Sequence, residues 1–156
     1  MAQHAFPEVT GVIIVDHGSR RPASNEMLHT ATQRFAEQSE FAIVEPAHME
    51  LAEPTIAQAF ANCVRRGATS VLIFPYFLSP GRHWTDDIPA LVAKAANQFP
   101  DVKWLVTAPF GLHPGMLDII NDRIRHCLHA AQQENSTSGC DVCDGTSGCQ
   151  FRGKST

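Results

Sequence analysis

Four short apolar runs alternate with four amphipathic runs along this 156-residue chain. This alternation constrains the fold more than any other feature of the sequence. The apolar runs, among them VIIV, VLIF and WLV, lack the apolar-polar alternation of a half-exposed strand, and unbroken apolar strands are typical of parallel sheets covered on both faces. The predicted strands are Val9–Val15, Phe41–Pro46, Ser70–Phe77 and Lys103–Ala108.

A helical pattern follows each predicted strand. Pro54 suits the first turn of the second helix, and Gly67 suits its end. Thr85 is expected to cap the third helix, with Asp86 and Asp87 near the positive end of its dipole. Four βα units within about 133 residues predict an α/β fold, a flavodoxin-like four-stranded parallel sheet flanked by helices, with strand order 2-1-3-4. The predicted helices are about Ala23–Glu37, Pro54–Arg66, Thr85–Asn97 and Pro114–Gln133.

The composition changes after Gln133, so we predict a domain over residues 1–133 and a Gly/Ser/Thr-rich tail over 134–156. The tail has few large apolar residues and cannot offset its ordering entropy unless something links its cysteines. Cys140, Cys143 and Cys149, with Cys127 as a candidate fourth thiolate, have the spacing of metal ligands. A redox dithiol and an unstructured tail remain alternatives.

Composition excludes several classes of protein. A net charge of −4 gives no basic face for nucleic acid, and no apolar run approaches the roughly 20 residues of a membrane span. The opening residues lack the basic start and apolar middle of a secretory signal, and the odd number of cysteines indicates a reducing compartment. We expect a cytoplasmic protein, or a plastid stromal one if the chain is a processed organellar form.

Polar side chains follow three of the predicted strands, in the segments DHGSRR, HME and SPGRH. Neighbouring parallel strands lie about 4.8 Å apart, so a 2-1-3-4 sheet would present Glu50, His17 and His83 side by side at its carboxyl edge. Two imidazoles suit a first-row divalent metal and leave coordination positions open, as catalysis or metal transfer requires. The surrounding arginines favour a partner with several carboxylates, because a guanidinium binds a carboxylate through two hydrogen bonds.

Other interpretations of these residues stay open. His48 fits either a second metal contact or a packing residue at a strand end, and Glu50 fits a solvated loop carboxylate. His113 fits a structural role, and His126 and His129 fit a solvated helix face. No phosphate-binding glycine motif follows the first strand, which disfavours nucleotide binding.

The motifs DHGSRRPASNE, MELAEPTI and FPYFLSPGRHWTDDIP, with GLHPG less specifically, resemble the small class II chelatases, the sirohydrochlorin chelatases of the CbiX/SirB type. The resemblance covers about residues 9–130. It implies insertion of Fe²⁺ into sirohydrochlorin, a polycarboxylated tetrapyrrole, to give sirohaem, or of Co²⁺ in cobalamin synthesis. It also implies that His17 and His83 hold the metal and that Glu50 accepts protons, with help from His48 as a further hypothesis.

The resemblance extends to partners and to the tail. Members of this class bind the macrocycle between two lobes and this chain encodes one, which implies a homodimer. Some tailed members, notably the plastid-type enzymes, carry an iron–sulfur cluster, and this similarity favours [2Fe–2S] over zinc at Cys127, Cys140, Cys143 and Cys149. Ferrochelatase activity is favoured, with a cobaltochelatase, a metal-delivery protein without turnover and an FMN-binding module as alternatives. The substrate's acetate and propionate arms are assigned to Ser19, Arg20, Arg21 and Arg82.

Overall fold

The structure of the protein is a computed structural model that describes residues 9–132 and 140–143. Its four strands are all parallel and lie in the order β2-β1-β3-β4. The predicted fold class and strand order are therefore confirmed. The strands are β1 Thr10–Asp16, β2 Ile43–His48, β3 Ser70–Pro75 and β4 Lys103–Val106.

Two of the four helices begin clearly later than predicted, and the other two begin within one residue of the prediction. Helix α2 begins at Ile56 because Thr55 is its N-cap: the Thr55 hydroxyl accepts the N–H of Gln58, and the Gln58 side chain accepts the N–H of Thr55 at 2.8 Å. Thr85 does not cap α3, because residues 83–87 form a π-helical turn that precedes this helix. The helices are α1 Pro22–Gln38, α2 Ile56–Arg65, α3 Ile88–Ala96 and α4 Gly115–Gln132.

The chain divides into two compact units after Gly111. The first contains the sheet with α1, α2 and α3, and the second contains α4 and the segment Cys140–Cys143. The boundary predicted at residue 133 stays a prediction. Among the described residues, no helix has the length and apolar character that crossing a membrane would need.

The two faces of the sheet are packed differently within the first unit. Ile13, Val15 and Ile73 belong to a buried core that also contains residues of α2 and α3. On the opposite face, Val12 and Ile14 pack against Leu28 of α1. That second face also carries an apolar cavity of about 490 Å³. The cavity is lined by Val12, Ile14, Ala31, Phe35, Phe41, Leu72, Phe74, Tyr76, Thr107 and Phe110.

Candidate active site

The segments that follow β1 and β2 stay paired beyond the ends of the strands. The N–H of Met49 donates to the carbonyl of Asp16 at 2.8 Å, and the N–H of Glu50 donates to the carbonyl of His17 at 3.0 Å. This pairing holds the His17 and Glu50 side chains next to each other at the carboxyl edge of the sheet. His17 Nε2 lies 2.6 Å from Glu50 Oε1, and both side chains are partly exposed.

Gly18 lets the two segments approach this closely. Its φ is +85°, and a Cβ placed on it would lie 1.9 Å from the Glu50 carbonyl oxygen. A side chain at position 18 would therefore have to push the backbone that carries Glu50 away from the backbone that carries His17. The glycine is required by this contact as well as by its backbone conformation.

The residues that follow β3 bring a second imidazole to His17. The ring centroids of His17 and His83 are 5.2 Å apart, with an angle of 64° between the ring planes. Phe77 also stacks on His83, with centroids 6.3 Å apart and an angle of 23° between the ring planes. The structure thus brings together the two histidines and the glutamate that the sequence assigned to the carboxyl edge.

His83 opens the π-helical turn of residues 83–87, and its ring is held by that turn. His83 Nδ1 lies 2.8 Å from Asp87 Oδ2, so the carboxylate accepts the Nδ1 proton and leaves Nε2 for a metal. Asp87 is the N-cap residue of α3 and so lies near the positive end of the helix dipole as expected, but its side chain makes no capping hydrogen bond and contacts His83 instead. The indole Nε1 of Trp84 anchors the turn by donating to the carbonyl of Thr107 at 2.8 Å.

His48 links Asp16 and His29, two residues that the sequence analysis did not assign to the site, in a chain of polar contacts. Asp16 and His48 are register partners on β1 and β2, and His48 Nδ1 lies 2.6 Å from Asp16 Oδ1. On the far side of the ring, His48 Nε2 lies 3.2 Å from the Nε2 of His29 on α1. The signal for Asp16 was its position next to His17, and the strand register pairs it with His48, which the sequence analysis had already named.

Of the residues assigned to the substrate arms, the arginines and the serine differ in their surroundings. The side chains of Arg20, Arg21 and Arg82 are exposed, and no ion pair involves them in the described part of the chain. The Ser19 hydroxyl already accepts the N–H of Arg21 at 3.0 Å. The sequence analysis missed Asn25, whose side-chain amide makes two hydrogen bonds to the Ser19 backbone. Asn25 Nδ2 donates to the Ser19 carbonyl at 2.8 Å, and Asn25 Oδ1 accepts the Ser19 N–H at 2.9 Å.

The cysteines described in the second unit differ in their exposure. Cys127 is exposed, Cys140 and Cys143 are partly buried, and Cys149 lies outside the described residues. Hydrogen bonds from the backbone N–H groups of Val142 and Cys143 lower the pKa of the Cys140 thiol. Asp141 forms a two-point ion pair with Arg123 of α4, with Nη2 and Oδ2 at 2.9 Å.

His113 and the buried cysteine Cys63 have structural roles outside the site. His113 Nδ1 accepts the N–H of Gly115 at 3.1 Å, so this histidine supports the first residue of α4. Burial raises the pKa of the Cys63 thiol to about 12, so this cysteine is an inert core residue. Within residues 9–132 and 140–143, no group of three or more His, Cys, Asp or Glu side chains is gathered so that it could hold a metal ion. The site at the strand ends is therefore a pair of imidazoles with one carboxylate bound to the first.

Comparisons with known proteins agree with this architecture. The CbiX family model matches residues 11–127. The chloroplastic sirohydrochlorin ferrochelatase of Arabidopsis thaliana is 49% identical over 151 residues, which covers 97% of this chain and 66% of that protein. The sirohydrochlorin ferrochelatase of Priestia megaterium is 34% identical over 72% of this chain and 42% of its own length.

A solved structure shares the fold. The sirohydrochlorin chelatase SirB of Bacillus subtilis subspecies spizizenii, in complex with cobalt, matches with a TM-score of 0.70 and 27% identity, over 76% of this chain and 50% of that one. The chain spans less than two thirds of the length of each of these three relatives. On the family match and the sequence identity, the chain belongs to the CbiX family.

Proposed function

We propose that this protein inserts Fe²⁺ into sirohydrochlorin to give sirohaem. The observation that carries the proposal is the pair of imidazoles of His17 and His83, 5.2 Å apart at adjacent strand ends, with the Glu50 carboxylate bound to the first of them. The name of the Arabidopsis relative, a sirohydrochlorin ferrochelatase, supports iron as the metal. Insertion of Co²⁺ is the alternative, favoured by the cobalt in the SirB structure.

The two histidines would receive the metal through their Nε2 atoms. His83 Nε2 is available because Asp87 accepts the proton of Nδ1, and Asp87 also fixes the orientation of the ring. His17 Nε2 contacts Glu50, so metal binding must replace that contact. Two nitrogen ligands leave most of the coordination sphere open, which suits a metal that is a substrate and must be released to the macrocycle.

Glu50 would act as the base. Metallation replaces two pyrrole N–H protons by one divalent cation, so two protons must leave the ring for each metal that enters. The Glu50 side chain is 55% exposed, which allows it to take a proton from the ring and pass it to water before it accepts the second. The carboxylate stands beside the metal-holding pair, and a base for the ring N–H groups has to lie there.

Three arginines near the site would bind the acidic arms of the macrocycle. Arg20 and Arg21 follow His17 in the chain, and Arg82 precedes His83. Because these arginines are exposed and no ion pair involves them in the described part of the chain, they can bind carboxylates without breaking an existing contact of that kind. The Ser19 hydroxyl accepts a backbone N–H and is the weaker candidate of the assigned set.

We propose a homodimer, because each unit presents an apolar surface to solvent. In the first unit this is the cavity of about 490 Å³ on the sheet face. In the second unit it is a stripe on α4, formed by the exposed side chains of Leu117, Ile120, Ile124 and Leu128. Exposed apolar surfaces of this extent mark interaction sites. A second copy of the chain is the proposed occupant.

The dimer can be tested with two substitutions that add the same charge to α4. Ile124→Glu on the apolar stripe is expected to give monomers, while His126→Glu on the exposed polar side leaves the dimer intact. Light scattering after size exclusion measures the mass. A monomeric parent protein, or an Ile124→Glu variant that stays dimeric, contradicts the proposal.

The tail and the compartment complete the proposal. Cys127, Cys140, Cys143 and Cys149 would hold a [2Fe–2S] cluster, an electron-transfer group when bound. The support is the cysteine spacing and the lowered pKa of Cys140, since the thiolate is the form that ligates iron. Iron and acid-labile sulfide assays on anaerobically purified protein test the cluster.

The plastid stroma is the proposed compartment, because the Arabidopsis relative is chloroplastic.

A metallation assay tests the proposed activity. Anaerobic protein is mixed with sirohydrochlorin and Fe²⁺, Co²⁺ or Ni²⁺, and the absorption spectrum of the macrocycle is followed. The wild-type protein is expected to accelerate insertion, fastest with Fe²⁺, while His17→Ala abolishes the acceleration and the control His126→Ala does not. A faster reaction with Co²⁺ supports the cobaltochelatase alternative. Metal binding without any acceleration supports a delivery protein and contradicts the proposal.

A further inference from the structure

His48 is the only histidine among the described residues whose side chain is completely buried. It is the last residue of β2 and lies opposite Asp16, the last residue of β1. Both of its ring nitrogens are used: Nδ1 lies 2.6 Å from Asp16 Oδ1, and Nε2 lies 3.2 Å from His29 Nε2. A fully buried imidazole in contact at both nitrogens is held in one orientation.

The chemistry of the partners fixes the direction of these hydrogen bonds. A carboxylate can only accept, so His48 Nδ1 donates its proton to Asp16. In the neutral ring Nε2 is then an acceptor, and His29 supplies the donor from its own Nε2. The three side chains therefore form a chain of donors that ends on the carboxylate of Asp16.

Asp16 transmits this constraint to the metal-holding segment. The same oxygen, Oδ1, also accepts the N–H of Gly18 at 2.9 Å, so the carboxylate closes the turn whose middle residue is His17. The turn has little room to move toward β2, because Gly18 lies against the backbone of Glu50. A rotation of the Asp16 side chain would release both the Gly18 N–H and the orientation of His17.

We propose that His48 is a positioning residue: by donating to Asp16 it fixes the turn that holds His17 beside Glu50, and His29 supports it from behind. This inference rests on the proposed function, since it assigns His17 the metal. His48 itself touches neither metal nor macrocycle in this role. Partners that orient metal ligands typically contribute about 10- to 100-fold to metal affinity or activity.

The decisive test is a pair of amide substitutions at position 48. Asparagine places its amide nitrogen about where Nδ1 of the imidazole lies and keeps the donor to Asp16. Glutamine places its amide near Nε2 and keeps a polar group toward His29, although it is closer to histidine in size. Co²⁺ affinity is measured by titration of the protein in the visible region, kcat and KM by the metallation assay, and Tm by thermal unfolding.

We expect His48→Asn to stay within about threefold of the wild type in Co²⁺ affinity and kcat. His48→Gln should lose about tenfold or more in both, with KM for sirohydrochlorin changed by less than about twofold. A role in packing alone predicts the reverse order, because glutamine fills the site better. Equal effects of the two variants, a better His48→Gln, or an unfolded His48→Asn would each overturn the inference.

An independent substitution covers the case in which His48→Gln does not fold. Asp16→Ser removes the carboxylate and leaves the His48 ring in place, and it should produce the same loss of Co²⁺ affinity. Wild-type affinity in Asp16→Ser would also overturn the inference. If the wild-type protein inserts no metal, the proposed function fails, while the Co²⁺ affinities of the variants still decide the role of His48.

Discussion

Replacing Glu50 by glutamine separates metal binding from metal insertion. Glutamine keeps the length and the acceptor oxygen that faces His17 Nε2 at 2.6 Å, but it cannot hold a proton from the macrocycle. The substitution therefore removes the proposed base with little change in shape. The histidine pair that would hold the metal is left in place.

The structure leads to different expected magnitudes for the change in metal affinity and the change in the rate of metal insertion. His17 and Glu50 are 39% and 55% exposed, so water screens their interaction. Exposed pairs of this kind contribute about 0.2–1 kcal/mol, which bounds the change in metal affinity at about fivefold. A positioned general base contributes about 10²- to 10⁴-fold to the rate. We therefore expect Glu50→Gln to lose at least about a hundredfold in kcat while Co²⁺ affinity changes by less than about fivefold.

The assay combines a Co²⁺ titration with the initial rate of sirohydrochlorin metallation. Glu53→Gln is the matched control, since Glu53 is also a glutamate of the β2–α2 connection and its side chain contacts Gln58. A Glu50→Gln variant whose kcat stays within about tenfold of the wild type would refute the assignment of the base. A large fall in Co²⁺ affinity would instead make Glu50 a metal ligand.

Three further predictions test the supports of the site and the state of the thiols. Asp87→Ala should weaken Co²⁺ binding by about 10- to 100-fold, because His83 loses the carboxylate that orients it, whereas the neighbouring Asp86→Ala should not. Gly18→Ala should lower the unfolding midpoint in urea much more than Gly67→Ala: both have positive φ, but only position 18 adds a clash, with a Cβ 1.9 Å from a carbonyl oxygen. In folded protein freed of iron at pH 8, iodoacetamide should label Cys140 and leave Cys63 unmodified, since a pKa of about 12 leaves about one Cys63 in 10⁴ as thiolate. Mass spectrometry of the peptides measures the labelling. Wild-type binding in Asp87→Ala, equal midpoints for the glycine variants or rapid labelling of Cys63 would each contradict the corresponding argument.

The sequence was sufficient for the features that follow from strand order. Unbroken apolar runs separated by helical patterns predicted a parallel sheet, and the order 2-1-3-4 placed the ends of β1 and β3 side by side. His17 follows β1 directly and His83 follows β3 after the connection of residues 76–82, so topology placed both at the same edge of the sheet. Glu50 could be placed for the same reason, since β2 is the other neighbour of β1.

What the sequence did not predict depends on local geometry. Asp87 was assigned to the dipole of α3, because an acidic residue near a helix start usually has that role, and a π-helical turn cannot be inferred from HWTDD. In that turn the side chains of His83 and Asp87 meet. His29 could not be assigned either, since its contact with His48 depends on how α1 is rotated over the sheet.

Each of the two imidazoles at the site is held by an oxygen at Nδ1, and the two differ in what their Nε2 atoms contact. His17 Nδ1 lies 3.2 Å from the Gly18 carbonyl oxygen, and His83 Nδ1 lies 2.8 Å from Asp87. The Nε2 of His17 contacts the proposed base, whereas that of His83 lies on the side away from Asp87. In the proposed function, an arriving metal would bind His83 first and would reach His17 only as Glu50 is displaced. The displaced carboxylate then has its full acceptor capacity for the macrocycle N–H groups, so metal binding at the histidines would itself prepare the base.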